Sequence, residues 1–293
     1  MRYEGDIYSP NIAGDDFILQ CTIGCSHNRC TFCYMYKTKT YRVRQLNEIF
    51  QDIALAKAKY GDLEKVFLAD GDALGMKTAD LLAILDCLYN TFPSLSYVGV
   101  YASAINIADK TLDDLTKLRN HGLIEAHLGI ESGDNEVLRA IRKGVTSTGL
   151  LQAGLKIRQA GIKICTTIIL GMAGRSPERA LAHAQNTARL CNEIQPDEVG
   201  LLTVIVQPGT ELYEAVQRNQ FEIPKDMEIL KELSVLIRHL DLKHSGITSI
   251  HPSNCICLEG WLPDDKEIIL SRLEHIIANK DSSQLRARVT KRV

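Results

Sequence analysis

Short apolar runs that read as buried strands alternate with amphipathic stretches that read as helices along most of the chain. After a first run at 17–23, further runs of this kind lie at 65–69, 97–101, 124–130, 164–170 and 199–205. The intervening stretches repeat apolar residues at helical spacing, as Leu81, Leu85 and Leu88 do. Six strand–helix units in this order predict an α/β fold with a parallel sheet curved into a barrel, complete or partial.

Composition narrows the class of protein further. The 293 residues are 45% hydrophobic and carry a formal net charge of −2, so no basic field favours nucleic acid. The N-terminus lacks the apolar stretch of a signal peptide, and no apolar run approaches the roughly 18 residues that span a membrane. Nine cysteines without a secretory signal favour metal and thiol chemistry over disulfides. We therefore expect a cytoplasmic protein with no membrane association.

Three cysteines follow the first strand-like run in a single short loop. Cys25, Cys30 and Cys33 have the spacing C-x4-C-x2-C. Three thiolates on one loop can bind three irons of a [4Fe-4S] cluster and leave the fourth iron open. A structural zinc site, the alternative, is normally closed by four protein ligands. Cys21, four residues upstream, reads as a packing residue of the strand.

The loop resembles that of the radical S-adenosylmethionine (radical SAM) superfamily, including Phe32, the aromatic residue before the last cysteine. The extra residue in the first gap is similar to one branch of that superfamily. The resemblance implies a partial (β/α)6 TIM-like barrel with a short C-terminal extension. It also implies a [4Fe-4S] cluster on the three cysteines, S-adenosylmethionine as cofactor, and an electron from a flavodoxin- or ferredoxin-like donor. Reductive cleavage then gives a 5′-deoxyadenosyl radical that removes a hydrogen atom from a substrate.

Acidic and glycine-rich motifs follow several of the predicted strands, at the ends where active sites of such barrels collect. Asp70, Gly71 and Asp72 stand where the superfamily has the motif that receives the methionine ammonium group, although a glutamate is usual there. By resemblance, Glu131 and Ser132 contact the ribose or the substrate, and a basic residue meets the SAM carboxylate. The remaining predicted cofactor contacts are Phe32, Lys143 with Arg142 as the second choice, Gly171, and Leu202 beside the adenine.

The C-terminal third of the chain is harder to interpret. We expect a core at 1–220, an extension at 221–278 that is helical at 227–242, then irregular, and packs on the barrel, and a basic polar tail at 279–293, solvated or in contact with RNA or an acidic partner. Cys255 and Cys257 form a C-x-C pair in the extension. We interpret them as candidate catalytic residues, either a substrate-contacting thiol or a redox pair, or as two incidental small residues. Without an added nucleic-acid module or cysteine-rich extension, the substrate is expected to be a small molecule. An iron–sulfur electron carrier and a zinc-binding regulatory module are the alternative functions.

Overall fold

A computed structural model of the chain describes residues 2–10 and 17–289. The chain divides into two compact units. The first comprises Met1–Asn28, Met35–Leu128 and Gln152–Ile164, and the second comprises Arg29–Tyr34, Gly129–Leu151 and Cys165–Val293. The loop with the three cysteines contributes to both, with Cys25 in the first unit and the other two in the second.

Parallel strands form the centre of the first unit. Its strands are β1 Phe17–Gln20, β2 Thr22–Ile23, β3 Arg42–Val43, β4 Lys65–Ala69, β5 Tyr97–Ala102 and the beginning of β6 Glu125–Glu131. β1, β4, β5 and β6 are parallel neighbours in that order, whereas β2 and β3 form a separate antiparallel pair. The helices are α1 Leu46–Tyr60, α2 Thr78–Thr91, α3 Ala104–Asp109 and α4 Leu112–Asn120. α1 packs on β1 and α2, and α2 packs on α4.

The second unit repeats the strand–helix alternation and then departs from it. Its strands are β7 Lys163–Leu170, which begins in the first unit, β8 Glu198–Thr203, β9 Ser245–Thr248 and β10 Glu259–Leu262. Its helices are α5 Asn135–Ala140, α7 Pro177–Ile194, α8 Glu211–Gln217, α9 Asp226–His239 and α10 Lys266–Asn279, whereas α6 Ser147–Gln159 begins in the second unit and continues in the first. β7, β8 and β9 are parallel neighbours, and β10 runs antiparallel to β9. α9 packs between α7 and α10.

The predicted fold class is confirmed. The eight main strands form a mostly parallel sheet in a mixed α/β fold similar to the partial TIM barrels of radical SAM proteins. The apolar runs at 65–69, 97–101 and 164–170 all lie in strands. The reason is that both faces of a parallel sheet are covered, which makes its strands short and continuously apolar.

The C-terminal region is more regular than the sequence suggested. The expectation of irregular chain after Leu242 was wrong, because β9, β10 and α10 all lie there. β9 and β10 have only four residues each and both contain glycine, so they show no recognisable period. The boundary that we predict at residue 220 stays a prediction.

The described part of the basic tail contacts the rest of the second unit. Arg286 donates to the backbone carbonyls of Asn254 and Ile250 at 2.8 and 2.7 Å, and Arg288 pairs with Asp226 at 2.6 Å. Residues 290–293, which include two further basic residues of the predicted tail, lie outside the described residues. Within the described chain, no helix is both long and apolar enough to cross a membrane.

Candidate functional site

The first half of the cysteine loop is held by residues of the first unit. Cys25 is partly buried, and the next residue, Ser26, donates from its backbone N–H to Asp72 Oδ2 at 3.2 Å and also from its hydroxyl. Asn28 donates to the backbone oxygen of Tyr36 at 2.8 Å and accepts from Lys37 at 2.9 Å. These bonds fix the chain on either side of the loop's first turn.

The second half of the loop is held by residues of the second unit. The N–H of Thr31 donates to the carbonyl of Ile141 at 2.9 Å, and the carbonyl of Thr31 accepts from Leu212 at 3.0 Å. Cys30 and Cys33 are partly buried, and the N–H of Cys33 donates to the carbonyl of Cys30. In the described chain no three metal-binding side chains are arranged as a complete metal site. The assignment of the three cysteines as ligands therefore stays a prediction.

Asp70 is a fully buried carboxylate with one satisfied oxygen. It follows β4, and its Oδ2 pairs with Lys39 Nζ at 2.6 Å and accepts from Gln20 Nε2 and the N–H of Gly24, both at 3.1 Å. Its other oxygen, Oδ1, is buried without any hydrogen-bond partner. Burying an unpaired carboxylate oxygen is costly, so Asp70 is suited to accept a hydrogen bond from a ligand.

Asp72, two residues later, has a different environment. Oδ2 accepts from Ser26, and Oδ1 accepts from the amide of Asn106. Burial raises the pKa of Asp72, although its hydrogen bonds with Ser26 act in the opposite direction. Because both oxygens are occupied by the protein, Asp72 is built to hold the cysteine loop.

Gly71 lies between these two acids and was predicted to give a ligand close access to the main chain. In the structure the space beside it is filled by a protein side chain. A Cβ atom at Gly71 would overlap the ring of Tyr36, which is itself buried. Tyr36 therefore accounts for the glycine, and a contact of Gly71 with SAM stays a prediction.

Glu131 ends β6 and resembles Asp70 in its bonding. Lys143 Nζ contacts Glu131 Oε1 at 2.8 Å, and Glu131 Oε2 is buried without a partner. The residue has a positive φ of 60°, a backbone conformation that non-glycine residues rarely adopt and that is common at ligand sites. Ser132 is fully buried, and its hydroxyl accepts a hydrogen bond at 2.9 Å from the N–H of Asp134, the residue that caps the N-terminus of α5.

The two basic candidates for the SAM carboxylate differ in location. The Lys143 side chain is largely buried against Glu131. The Arg142 side chain is 61% exposed and pairs with Glu211 at 2.8 Å. The structure thus places Lys143, the first choice, beside another candidate residue. Contact of either with SAM stays a prediction.

The glycine after β7 depends on two residues that sequence reasoning missed. The N–H of Gly171 lies 3.1 Å from both carboxylate oxygens of Glu232, and Glu232 Oε1 lies 2.7 Å from His183 Nδ1. Glu232 and His183 are 3% and 1% exposed, and His183 Nε2 has no partner. Both lie on amphipathic helices, where a single buried charge among apolar positions was the available signal.

The remaining predicted residues are distributed as follows. Phe32 is partly buried in the cysteine loop, and Leu202 is the partly exposed neighbour of the buried Leu201 in β8. Cys255 is 1% exposed and burial raises its pKa to about 11, whereas Cys257 is exposed. A thiol with so high a pKa is a poor nucleophile at neutral pH. A role for the pair stays a prediction, and Cys257 is its accessible member.

Asp70 and Glu131 each fit a type of group that SAM presents. SAM offers an ammonium group and two ribose hydroxyls as donors, and the ends of β4 and β6 each carry a buried carboxylate oxygen that lacks a donor. Lys39 and Lys143 hold the opposite oxygens of these carboxylates. Each of these acids lies at the carboxyl end of a parallel strand, where α/β proteins commonly place their ligand sites.

Comparison with known proteins identifies the class. The family model of the Radical SAM superfamily matches residues 19–186, more than half of the chain, and the protein belongs to this superfamily. The matched segment includes the three cysteines, Asp70 and Glu131. The protein is accordingly an enzyme, and its cofactors are those of the superfamily, a [4Fe-4S] cluster and S-adenosylmethionine.

Individual relatives are distant. The heme chaperone HemW of Bacillus subtilis is 21% identical over 61% of this chain and 47% of its own length. The tRNA-2-methylthio-N(6)-dimethylallyladenosine synthase of Methylacidiphilum infernorum is 26% identical over 64% of this chain and 41% of its own length. The chain thus spans less than half the length of these two relatives. Among solved structures, methylornithine synthase (PylB) superposes with a TM-score of 0.54 and 18% identity, covering 89% of this chain and 81% of PylB.

Proposed function

We propose that the protein cleaves SAM reductively and uses the resulting radical to remove a hydrogen atom from a small-molecule substrate. Membership of the superfamily supports the radical chemistry in general. When bound, the cluster would supply the electron that breaks the bond between the sulfonium and C5′ of SAM, so that methionine leaves and the 5′-deoxyadenosyl radical remains. The rest of the work falls to the chain's own residues, which bind SAM, orient it and exclude water.

We propose Cys25, Cys30 and Cys33 as the cluster ligands. Three thiolates leave one iron without a protein ligand, which is the position that a chelating amino acid group can take. Asp72 and Ser26 fix the chain beside Cys25, and the backbone bonds of Thr31 fix the segment between Cys30 and Cys33. This double anchoring supports a loop whose thiolates need a defined separation.

The observation that carries the proposal is the unpartnered oxygen of Asp70. Among the two acids that the sequence left open for the methionine ammonium, Asp72 has both oxygens occupied and Asp70 has one available. Asp70 Oδ1 is the one carboxylate oxygen of these two acids that has no donor from the protein. A charge-assisted hydrogen bond from an ammonium group to this oxygen would satisfy it. By the same reasoning, Glu131 Oε2 accepts from a ribose hydroxyl, with Phe32, Ser132, Lys143, Gly171 and Leu202 as further contacts.

The electron donor and the substrate complete the proposal. A flavodoxin- or ferredoxin-like protein suits a one-electron step at low potential, and a reducing compartment such as the cytoplasm suits a cluster of this kind. The relatives include a tRNA-2-methylthio-N(6)-dimethylallyladenosine synthase, but the formal net charge of −2 gives this chain no overall basic field of the kind that favours RNA. A small molecule is therefore the favoured substrate.

The test is an anaerobic assay for 5′-deoxyadenosine. The protein is reconstituted with iron and sulfide, reduced with dithionite and given SAM. We expect product from the wild type and from Cys87→Ala, a matched change at a partly buried cysteine on α2, and none from Cys30→Ala. The proposal would be refuted if the wild-type protein formed no 5′-deoxyadenosine and the EPR signal of its four-iron cluster did not change when SAM was added. That result would favour an electron carrier.

A further inference from the structure

The two faces of the sheet in the first unit differ sharply in chemistry. Side chains on one face are wholly buried and apolar: Val66, Val98, Val100, Ala126 and Leu128 are each 0% exposed. The alternate residues of the same strands form the opposite face, and several of them are polar or aromatic and reach solvent. We call five of them the strand-face cluster: Phe67, which is fully buried, and Tyr97, Tyr101, Glu125 and His127, which solvent partly reaches.

A packed core does not account for this second face. Parallel sheets are normally covered on both sides and apolar on both. Here the side chains of Glu125 and His127 are 17% and 10% exposed, and Tyr97 and Tyr101 are also partly exposed. Polar side chains that solvent reaches on the inner strands of a parallel sheet are available to contact a ligand.

Hydrogen bonds organise the cluster around one carboxylate. Tyr97 donates from its hydroxyl to Glu125 Oε1 at 2.8 Å, and His127 Nε2 lies 2.7 Å from the same oxygen. Phe67 packs edge-on against the rings of Tyr101 and His127, at centroid distances of 4.8 and 5.1 Å. Among the described residues, the hydrogen bonds to Glu125 thus converge on Oε1 and leave Oε2 for a ligand.

Gly99 makes this arrangement possible. It stands in register between Phe67 on β4 and Glu125 on β6. A Cβ atom there would lie 2.6 Å from the Tyr97 hydroxyl and 2.9 Å from Phe67. Any larger residue would displace the tyrosine from the carboxylate, so the glycine is part of the site.

The charge of the cluster defines what it can bind. Burial alone raises the pKa of Glu125, but the hydrogen bond and charge of His127, with smaller contributions from Tyr97 and Lys163, hold that pKa below its usual range. Glu125 is therefore ionised at neutral pH. A carboxylate with one oxygen left for a ligand favours a cation through a charge-assisted hydrogen bond.

We propose that the strand-face cluster binds the ammonium group of a small amine substrate through Glu125. Phe67 lies on the strand that leads directly into Asp70, so the cluster belongs to a strand that also carries a candidate SAM contact. The inference rests on the proposed function for its role in catalysis, because it names the class of substrate on which the radical acts. Amine binding itself requires neither the [4Fe-4S] cluster nor SAM.

Amine binding is tested on the full chain without cofactors. Protein labelled with 13C at the histidine Cε1 positions gives a separate signal for each of its eight histidines. Butylamine and agmatine, both cationic at pH 7, serve as probes, and butanol serves as the neutral control. We expect the amines and not butanol to shift the His127 signal, and Glu125→Gln to weaken amine binding by about tenfold or more, as loss of a charge-assisted bond requires.

Glu64→Gln is the matched variant, because Glu64 is an exposed acid immediately before β4. It should bind the amines as the wild type does. Equal binding of butanol and butylamine, an unmoved His127 signal, or equal affinity in both variants would overturn the inference. If Glu125→Gln does not fold, the comparison of amine with butanol in the wild type still decides, as does Tyr97→Phe, which keeps the carboxylate and should retain binding.

The two proposals fail separately. Formation of 5′-deoxyadenosine by the reconstituted enzyme without amine binding at His127 would refute only the substrate class. Amine binding at His127 in a protein that cleaves no SAM would refute the proposed function and leave the site standing. If both hold, the amines should accelerate 5′-deoxyadenosine formation in the wild type and in Glu64→Gln but not in Glu125→Gln.

Discussion

Replacing Glu232 by alanine tests the buried pair that supports the loop after β7. The carboxylate accepts from the N–H of Gly171 at 3.1 Å and lies 2.7 Å from His183 Nδ1, and all three residues are buried. Removing it leaves two buried polar groups without partners. Each such group costs about 1–3 kcal/mol, and breaking a buried pair costs about 3–5 kcal/mol overall. We expect Glu232→Ala to lower the free energy of unfolding by about 3–5 kcal/mol.

The assay is urea unfolding of the cofactor-free protein under anaerobic conditions, followed by circular dichroism. Glu232→Gln retains one oxygen as acceptor and should lose about 1–3 kcal/mol. Glu214→Ala is the matched control, because Glu214 forms an exposed pair with Arg218, and exposed pairs contribute little. A loss in Glu232→Ala no larger than in Glu214→Ala would refute the reasoning.

A double-mutant cycle separates the pair from the helix that carries it. Once Glu232 is gone, removing His183 should cost less than it does in the wild type, because the imidazole has already lost its partner. Simple additivity of the two losses would mean that the residues contribute independently, and the 2.7 Å contact would then carry no coupling.

Three further outcomes follow from the site. Asp70→Asn should raise the SAM concentration needed for half-maximal 5′-deoxyadenosine formation and leave the iron content unchanged. Asp72→Asn should instead lower the iron content. The reverse pattern would contradict the assignment of the two acids. Iodoacetamide at pH 8 should modify Cys257 and spare Cys255, whose pKa of about 11 keeps it protonated, as peptide mass spectrometry can verify. Burial lowers the pKa of His251 from 6.5, so the folded state binds fewer protons at this residue than the unfolded state does. The stability that His251 contributes should therefore fall as the pH drops below 6.5. In urea unfolding, His251→Gln should remove this part of the pH dependence of stability.

The sequence was sufficient for the elements that depend on local pattern. β4 and β7 could be recognised because continuous apolar runs are typical of covered parallel strands. Asp70 and Glu131 could be placed at strand ends for the same reason, since each follows such a run directly.

The residues that hold Asp70 and Gly171 could not be predicted, because they come from distant parts of the chain. Lys39 reaches Asp70 across 31 positions, and Glu232 reaches Gly171 across 61. Nothing in the local sequence marks Lys39 as buried or Tyr36 as the residue that fills the space beside Gly71. The sequence thus names the acids and leaves open which of their oxygens the protein already uses.

That distinction separates the acids whose oxygens the fold already uses from the acids that keep one oxygen without a protein donor. Asp72 has protein donors on both oxygens, so its burial is compensated in the folded chain alone. Asp70 and Glu131 each keep a lysine on one oxygen and leave the other buried without a donor. The lysine offsets the cost of burying the charge, and the second oxygen stays oriented for a donor that the chain does not supply. A carboxylate held in this way gains more from a ligand that donates to its second oxygen than from water, because the carboxylate need not reorient when the ligand binds.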